Sequence, residues 1–102
     1  MKIITICGNL KFTKEMMIEA QKYSLNGICV LTPIYPVDEN VITNKKQLQH
    51  LKEEHFKRIE LSDAILVLNK DNYIGESTKL EIEYAKSLNK EIIFYTNKTI
   101  NN

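Results

Sequence analysis

Residues 64–89 read AILVLNKDNYIGESTKLEIEYAKSLN, and the fold class can be predicted from this segment. Its first five residues form a short apolar run that is followed by polar residues. This pattern predicts a buried strand. Residues 77–88 carry apolar side chains at helical spacing, which predicts a helix. A buried strand that leads through a loop into a helix is the repeating unit of a parallel α/β sheet.

The rest of the chain repeats this unit. Further apolar runs at 3–7, 27–31 and 91–95 predict strands, and the spacing at 13–25 and 45–61 predicts helices. The order βαβαβαβ predicts a single small flavodoxin-like or Rossmann-like α/β domain over residues 1–95, with about four parallel strands and helices on both faces. Pro33 and Pro36 predict a surface loop after the second strand. Residues 96–102 are polar, and we expect a frayed C-terminal tail there.

Composition limits the partners. The chain has 102 residues, enough for one domain, and its 14 Lys and Arg nearly balance its 13 Asp and Glu. We therefore expect no nucleic-acid polymer as a partner. We also expect no membrane association and a cytoplasmic location, because no stretch is long and apolar enough for a span and the N-terminus does not read as a signal peptide. An open sheet edge and broad apolar helix faces predict a homodimer.

Metal and cofactor signals are weak. Cys7 and Cys29 lie far apart in apolar runs, without a second ligand at metal spacing, and His50 and His55 are the only histidines. Two small buried thiols are the simpler interpretation. We therefore expect no metal. Neither G-x-G-x-x-G nor G-x-x-x-x-G-K-[ST] occurs, so we also expect no cofactor.

Glu81 is the most informative single residue. On a helical wheel it falls inside a stripe formed by Leu80, Tyr84, Ala85 and Leu88. A carboxylate on a buried face is costly unless another group pairs with it or a reaction uses it. Its position therefore marks a candidate functional group.

A structural explanation of Glu81 stays open beside the functional one. Lys11 or Arg58 is available as a partner for an ordinary ion pair. The first turn of the helix also offers free N–H groups and a positive dipole end, which favour an anion.

The loops after the strands should converge on one cleft, since ligands of parallel sheets bind beyond the carboxyl ends of the strands. Each candidate also has a structural alternative: a glycine opens many loops, a hydroxyl caps a helix, and a loop tyrosine is often simply exposed. The substrate-binding candidates are Gly8, Asn9, Asn69, Tyr73, Gly75, Ser77 and Thr78.

His55 is the second catalytic candidate. It lies four residues from both Leu51 and Ile59, on the apolar stripe of the second helix. Such a histidine is either a satisfied core residue or a group that acts on a substrate.

Three segments give the chain a family resemblance: ITICGN at residues 4–9, SDAILV at 62–67 and EIEYA at 81–85. Together they resemble the nucleoside 2-deoxyribosyltransferase superfamily, which includes the 2′-deoxynucleoside 5′-phosphate N-hydrolases. Members of that family show a glycine-rich turn and then an E-[LI]-G-x-A pattern. The sequence NYIGEST at residues 72–78 resembles that of a compact subgroup related to the transferases.

The resemblance implies an activity. Glu81 matches the family's nucleophile, which attacks the anomeric carbon and forms a covalent glycosyl-enzyme. The chain departs from the family pattern at three positions. Glu83 replaces a glycine, and Gly75 replaces an acid or serine. His55 replaces an aspartate that holds the sugar.

We therefore expect cleavage or transfer at the N-glycosidic bond of a nucleoside or nucleotide. His55, or a water held by Asp71, is the candidate proton donor for the leaving base. Two alternatives remain: a module that binds a nucleotide-like ligand without cleaving it, and a protein with a purely structural or interaction role.

Overall fold

Four parallel strands form the centre of the fold, in a computed structural model that describes residues 1–35 and 44–100, with side chains through residue 97. The strands are β1 (Ile3–Cys7), β2 (Cys29–Leu31), β3 (Ala64–Val67) and β4 (Glu91–Phe94). Their order in the sheet is β2-β1-β3-β4, and every neighbouring pair is parallel. The predicted small α/β domain with a four-stranded parallel sheet is confirmed.

The helices are α1 (Thr13–Leu25), α2 (Lys45–Leu61), α3 (Glu76–Ser87) and α4 (Tyr95–Ile100). Asn44 caps α2, because its side chain accepts a hydrogen bond from the Gln47 N–H at 2.8 Å. No helix among the described residues is both long and apolar enough to cross a membrane.

Two apolar cores lie on opposite faces of the sheet, because successive strand residues point to opposite sides. Ile4 and Ile6 of β1 pack on the α1 side, in the core that contains Met16. Cys7 of β1 packs on the other side, in the core that contains Ile59 of α2 and Ile82 of α3. The helices therefore cover both faces of the sheet, as the apolar strands predicted.

Several element ends differ from the prediction. Strand β2 begins at Cys29 instead of residue 27, because Gly27 takes a left-handed conformation (φ 86°) in the turn after α1. Residues 95–100 form α4, although a frayed tail was predicted from residue 96. Residues 32–35 have no regular structure, whereas positions 36–43 of the predicted loop and 101–102 of the predicted tail lie outside the described residues.

The sheet order creates a switch point between β1 and β3. From β1 the chain crosses to β2 on one side, and from β3 it crosses to β4 on the other side. The loops that follow β1 and β3 therefore leave the sheet in opposite directions. In open parallel sheets this divergence opens a crevice beyond the carboxyl ends of the strands.

Candidate active site at the carboxyl ends of β1 and β3

A cleft of about 620 Å³ lies at this switch point. Its volume is in the range of small-molecule sites. Its walls come from the loops after β1 and β2, from α2, and from the loop before α3 together with the start of that helix. Eight of the nine predicted site residues line it: Gly8, Asn9, His55, Tyr73, Gly75, Ser77, Thr78 and Glu81.

Glu81 lies at the edge of the buried face of α3. The buried residues of this helix are Thr78, Ile82 and Ala85, whereas Leu80 is 52% exposed. Of the predicted stripe Leu80, Tyr84, Ala85 and Leu88, only Ala85 is buried, so the buried face of the helix is displaced from the predicted one by part of a turn. The inward placement of Glu81 is nevertheless correct, and its side chain is 17% exposed.

Burial sets the charge state of Glu81. Desolvation raises the pKa of its carboxyl from 4.5 to about 7, and a hydrogen bond with the Cys7 thiol opposes the rise. Glu81 is the sixth residue of α3, so it lies beyond the free N–H groups of the first turn. The predicted relief from the helix end therefore does not reach it.

No lysine or arginine forms an ion pair with Glu81 among the side chains that the structure describes. Lys11, one predicted partner, places its Nζ 3.5 Å from the centre of the Tyr73 ring. Arg58, the other, contacts His55 and lies 3.7 Å from a Glu54 carboxylate oxygen. The simple ion-pair explanation of Glu81 is therefore wrong.

Cys7 is the contact of Glu81 that the sequence did not reveal. It is the last residue of β1, it is fully buried, and its Sγ lies within 4.8 Å of a Glu81 carboxylate oxygen. Burial, and next the negative charge of Glu81, raise the pKa of this thiol well above 9. The protonated thiol is thus the donor in this contact. In the sequence, the only sign that Cys7 belongs to the site was its position at the carboxyl end of a strand.

His55 points from α2 toward Glu81. Its Nε2 lies 3.9 Å from Glu81 Oε1, and Arg58 Nη1 lies 3.1 Å from its Nδ1. Burial, and next the charge of Arg58, lower the pKa of the imidazole from 6.5 to about 4, against a smaller opposing effect of the Ile6 carbonyl. His55 is therefore neutral near pH 7 and has no extra proton to give.

The hydroxyls at the start of α3 do not cap it as predicted. Gly75 is the N-cap residue, and it makes no side-chain capping hydrogen bond. Thr78 is buried and Ser77 is exposed, and both line the cleft. The backbone N–H groups of the first turn, which lack partners within the helix, thus lie beside the cleft.

Gly8 and Gly75 shape the cleft in different ways. A Cβ on Gly8 would lie 3.2 Å from the Leu68 Cβ and 3.4 Å from the Met16 sulfur, so this glycine permits tight packing behind the cleft. A Cβ on Gly75 would lie 3.5 Å from the Tyr73 hydroxyl and 3.7 Å from Asn9 Nδ2, on the side of the cleft.

Asn69 does not line this cleft. Its Nδ2 donates to the Thr96 hydroxyl at 3.1 Å, and its Oδ1 accepts from the Thr96 N–H at 3.3 Å. The amide thereby joins the loop after β3 to α4. Asp71, predicted to hold a water for the reaction, is exposed in the same loop and is also absent from the lining.

Cys7, His55 and Glu81 offer the donor types of a metal site, and their ligand atoms lie within 4.8 Å of one another. The Arg58 guanidinium argues against this use. It donates to Nδ1, which leaves the imidazole proton on Nε2, the nitrogen that a metal would need. It also places a positive charge beside the site. We therefore assign no metal to this cluster.

Comparison with known proteins adds no family to this geometry. No family model matches the chain. No curated protein matches it either. The resemblance to the nucleoside 2-deoxyribosyltransferases therefore remains a hypothesis about function, carried by the residues of the cleft.

Proposed function

We propose that this protein cleaves or transfers at the N-glycosidic bond of a nucleoside or nucleotide, with Glu81 as the nucleophile. The observation that carries the proposal is a buried carboxyl on the wall of a sugar-sized cleft, without a lysine or arginine partner among the described side chains. A cofactor plays no part in this chemistry. The cytoplasm, where nucleosides and nucleotides are abundant, is the proposed location.

The reaction has two steps. A Glu81 oxygen forms a bond to C1′ of the sugar while the bond from C1′ to the base nitrogen breaks, and the electron pair leaves with the base. Because His55 is neutral and Asp71 lies outside the cleft, water is the proton source for the base. Water or a second base then attacks C1′ and releases the carboxylate.

The test of this activity is a panel of nucleosides and their 5′-monophosphates, incubated with the protein and assayed for free base by chromatography. The monophosphates belong in the panel because the uncapped start of α3 and Lys52 lie at the cleft. Release of base from at least one compound is expected. No release from any of them would contradict the proposal.

The pH dependence of the reaction distinguishes a nucleophile from an acid. Because the pKa of Glu81 is about 7, the fraction of ionised carboxylate rises about tenfold per pH unit well below that value and levels off above it. We expect kcat/KM to follow the same curve. A rate that instead falls above neutral pH would mean that Glu81 acts as a protonated acid.

A non-catalytic nucleotide-binding module is the alternative function, and one observation favours it. The other carboxylate in the cleft lining is Glu76, which is 91% exposed and lies 3.4 Å from Lys79. Apart from Glu81, the described lining residues thus include no buried carboxyl group that could protonate a leaving base. Thermal stabilisation by a nucleotide without base release would support this alternative.

A homodimer is part of the proposal. Met17 and Ile18 are exposed on α1, beside a shallow hollow lined by that helix alone. An apolar helix surface of this kind suits contact with a second copy of the chain. Analytical ultracentrifugation measures the mass directly, and a monomer across the accessible concentration range would contradict the expectation.

A further inference from the structure

The tautomer of His55 is fixed by its neighbour. Arg58 Nη1 lies 3.1 Å from His55 Nδ1, and a guanidinium can only donate hydrogen bonds. Nδ1 must therefore accept, so the proton of the neutral ring is on Nε2. Arg58 is itself held in place, since its backbone carbonyl accepts hydrogen bonds from the hydroxyls of Thr5 and Ser62.

The resulting Nε2–H group makes no hydrogen bond of ordinary geometry with the described residues, although the Ile6 carbonyl is close enough to raise the pKa of the ring slightly. His55 is 6% exposed, and its Nε2 is buried without a hydrogen bond. A buried polar group in this condition is costly, and a ligand that supplies the missing partner regains the loss. Glu81 Oε1 could accept a hydrogen bond from this group, but it lies 3.9 Å from Nε2, which is too far for a direct hydrogen bond.

The gap between these two atoms suits one bridging oxygen. An oxygen atom at an ordinary hydrogen-bond distance of about 2.8 Å from each group fits between atoms with this separation. Such an oxygen must accept from Nε2–H and donate to a carboxylate. A hydroxyl group does both.

The chemistry of nucleosides identifies a suitable hydroxyl. In a β-nucleoside the base lies on one face of the sugar, so a nucleophile displaces it from the opposite face. The 2′-hydroxyl of ribose lies on that opposite face, on the carbon next to C1′. It is therefore the sugar group nearest to an attacking carboxylate, and hydrogen bonds to it strengthen as the bond to the base breaks.

We propose that His55 and Glu81 together bind the 2′-hydroxyl, so that the substrates are β-ribonucleosides or ribonucleotides. His55 is then a specificity-determining residue. This inference rests on the proposed function and differs from the 2′-deoxy substrates that the family resemblance implies. A site built to bind a hydroxyl discriminates against an analogue that lacks it, because its own polar groups are left without partners.

Matched substrate pairs test the inference: adenosine and 2′-deoxyadenosine, uridine and 2′-deoxyuridine, and their 5′-monophosphates. We expect kcat/KM to favour the ribose member of each pair by about 10- to 100-fold. In His55→Phe, which keeps a ring and removes the donor, the ratio should fall toward one. In His55→Gln, which restores an N–H group, part of the preference should return.

Two further variants complete the design. His50→Phe alters an exposed histidine of the same helix outside the cleft lining, and it should leave the ratio unchanged. Arg58→Met removes the group that fixes the tautomer, and it should weaken the ribose preference without touching the hydroxyl directly. A wild-type ratio of kcat/KM near one would overturn the inference. A water that bridges the two groups in place of the 2′-hydroxyl would give this result.

The failure of this inference and that of the proposed function give different results. Base release that is equal or faster from deoxyribose compounds contradicts the role of the 2′-hydroxyl and leaves the function intact. Absence of base release from every compound contradicts the function. Calorimetric binding of the same pairs then decides the inference: tighter, His55-dependent binding of the ribose members supports it, and equal binding overturns it.

Discussion

Base release by the Glu81→Gln variant is expected to fall by about 10³-fold or more in kcat/KM. The amide has nearly the shape of the carboxylic acid but cannot form a stable ester with C1′, so the covalent step is lost. The measurement is the initial rate of free-base production from the best substrate of the panel. Saturation binding of the same substrate by the variant shows that the cleft remains intact.

Glu83→Gln is the matched control. It makes the same chemical change two residues along α3, at a side chain that is 73% exposed and lies 3.8 Å from Lys86. Its activity should equal that of the wild type. If Glu81→Gln retains turnover, or if Glu83→Gln loses it equally, Glu81 is not the nucleophile.

The second large effect concerns stability. The pKa of Glu81 is raised from 4.5 to about 7 on folding, so between these values the folded protein keeps a proton that the unfolded chain releases. Stability contributed by this group therefore falls as pH rises, by about 1.4 kcal/mol per pH unit. The loss is complete above the folded pKa and amounts to about 3 kcal/mol.

Glu81→Gln removes this penalty, since an amide does not ionise. We expect the variant to be more stable than the wild type by up to about 3 kcal/mol above pH 8, and to differ little near pH 4. Urea unfolding at both pH values measures the difference, with Glu83→Gln as the control. A stability difference that is constant with pH would show that Glu81 titrates normally.

A variant that is both more stable and inactive has a physical meaning. A buried carboxyl without a cationic partner is costly to the fold, and such a cost is common at functional sites. A Glu81 held in an ion pair would give the opposite result, because removal of one member of a buried ion pair destabilises a protein. Stability and activity together thus separate the explanations.

The sequence was sufficient for the architecture because the two central strands, β1 and β3, are apolar except for the buried Thr5. The runs that became β1 and β3 have no polar face, which requires cover on both sides of the sheet. The convergence of Gly8, Tyr73 and Gly75 on one cleft followed from the same rule, since the loops after neighbouring parallel strands share an edge.

Other details depend on contacts that local sequence does not contain. The rotation of α3 about its axis is set by how Thr78 and Ile82 pack, so Leu80 turned out to be exposed although the wheel placed it inside. The role of Asn69 depends on Thr96, which is 27 residues away and in a helix that polar composition did not predict. Helix periodicity gives a stripe, but not its exact centre.

The electrostatics of the site were the least predictable part. The pKa of Glu81 depends on burial and on Cys7, which comes from another element of the fold. The tautomer of His55 depends on Arg58, one turn along α2, in a geometry that the sequence allowed but did not require. These contacts decide which group is ionised, and therefore which role each residue can take.

Mass spectrometry of the protein after incubation with a nucleoside that carries fluorine at C2′ shows whether Glu81 forms a glycosyl-enzyme. Fluorine at this position slows the breakdown of a glycosyl-enzyme. We predict a mass increase of one fluorinated pentosyl group, located by proteolysis to Glu81 and absent from Glu81→Gln. Base release without any adduct, or an adduct on a different residue, would contradict the account.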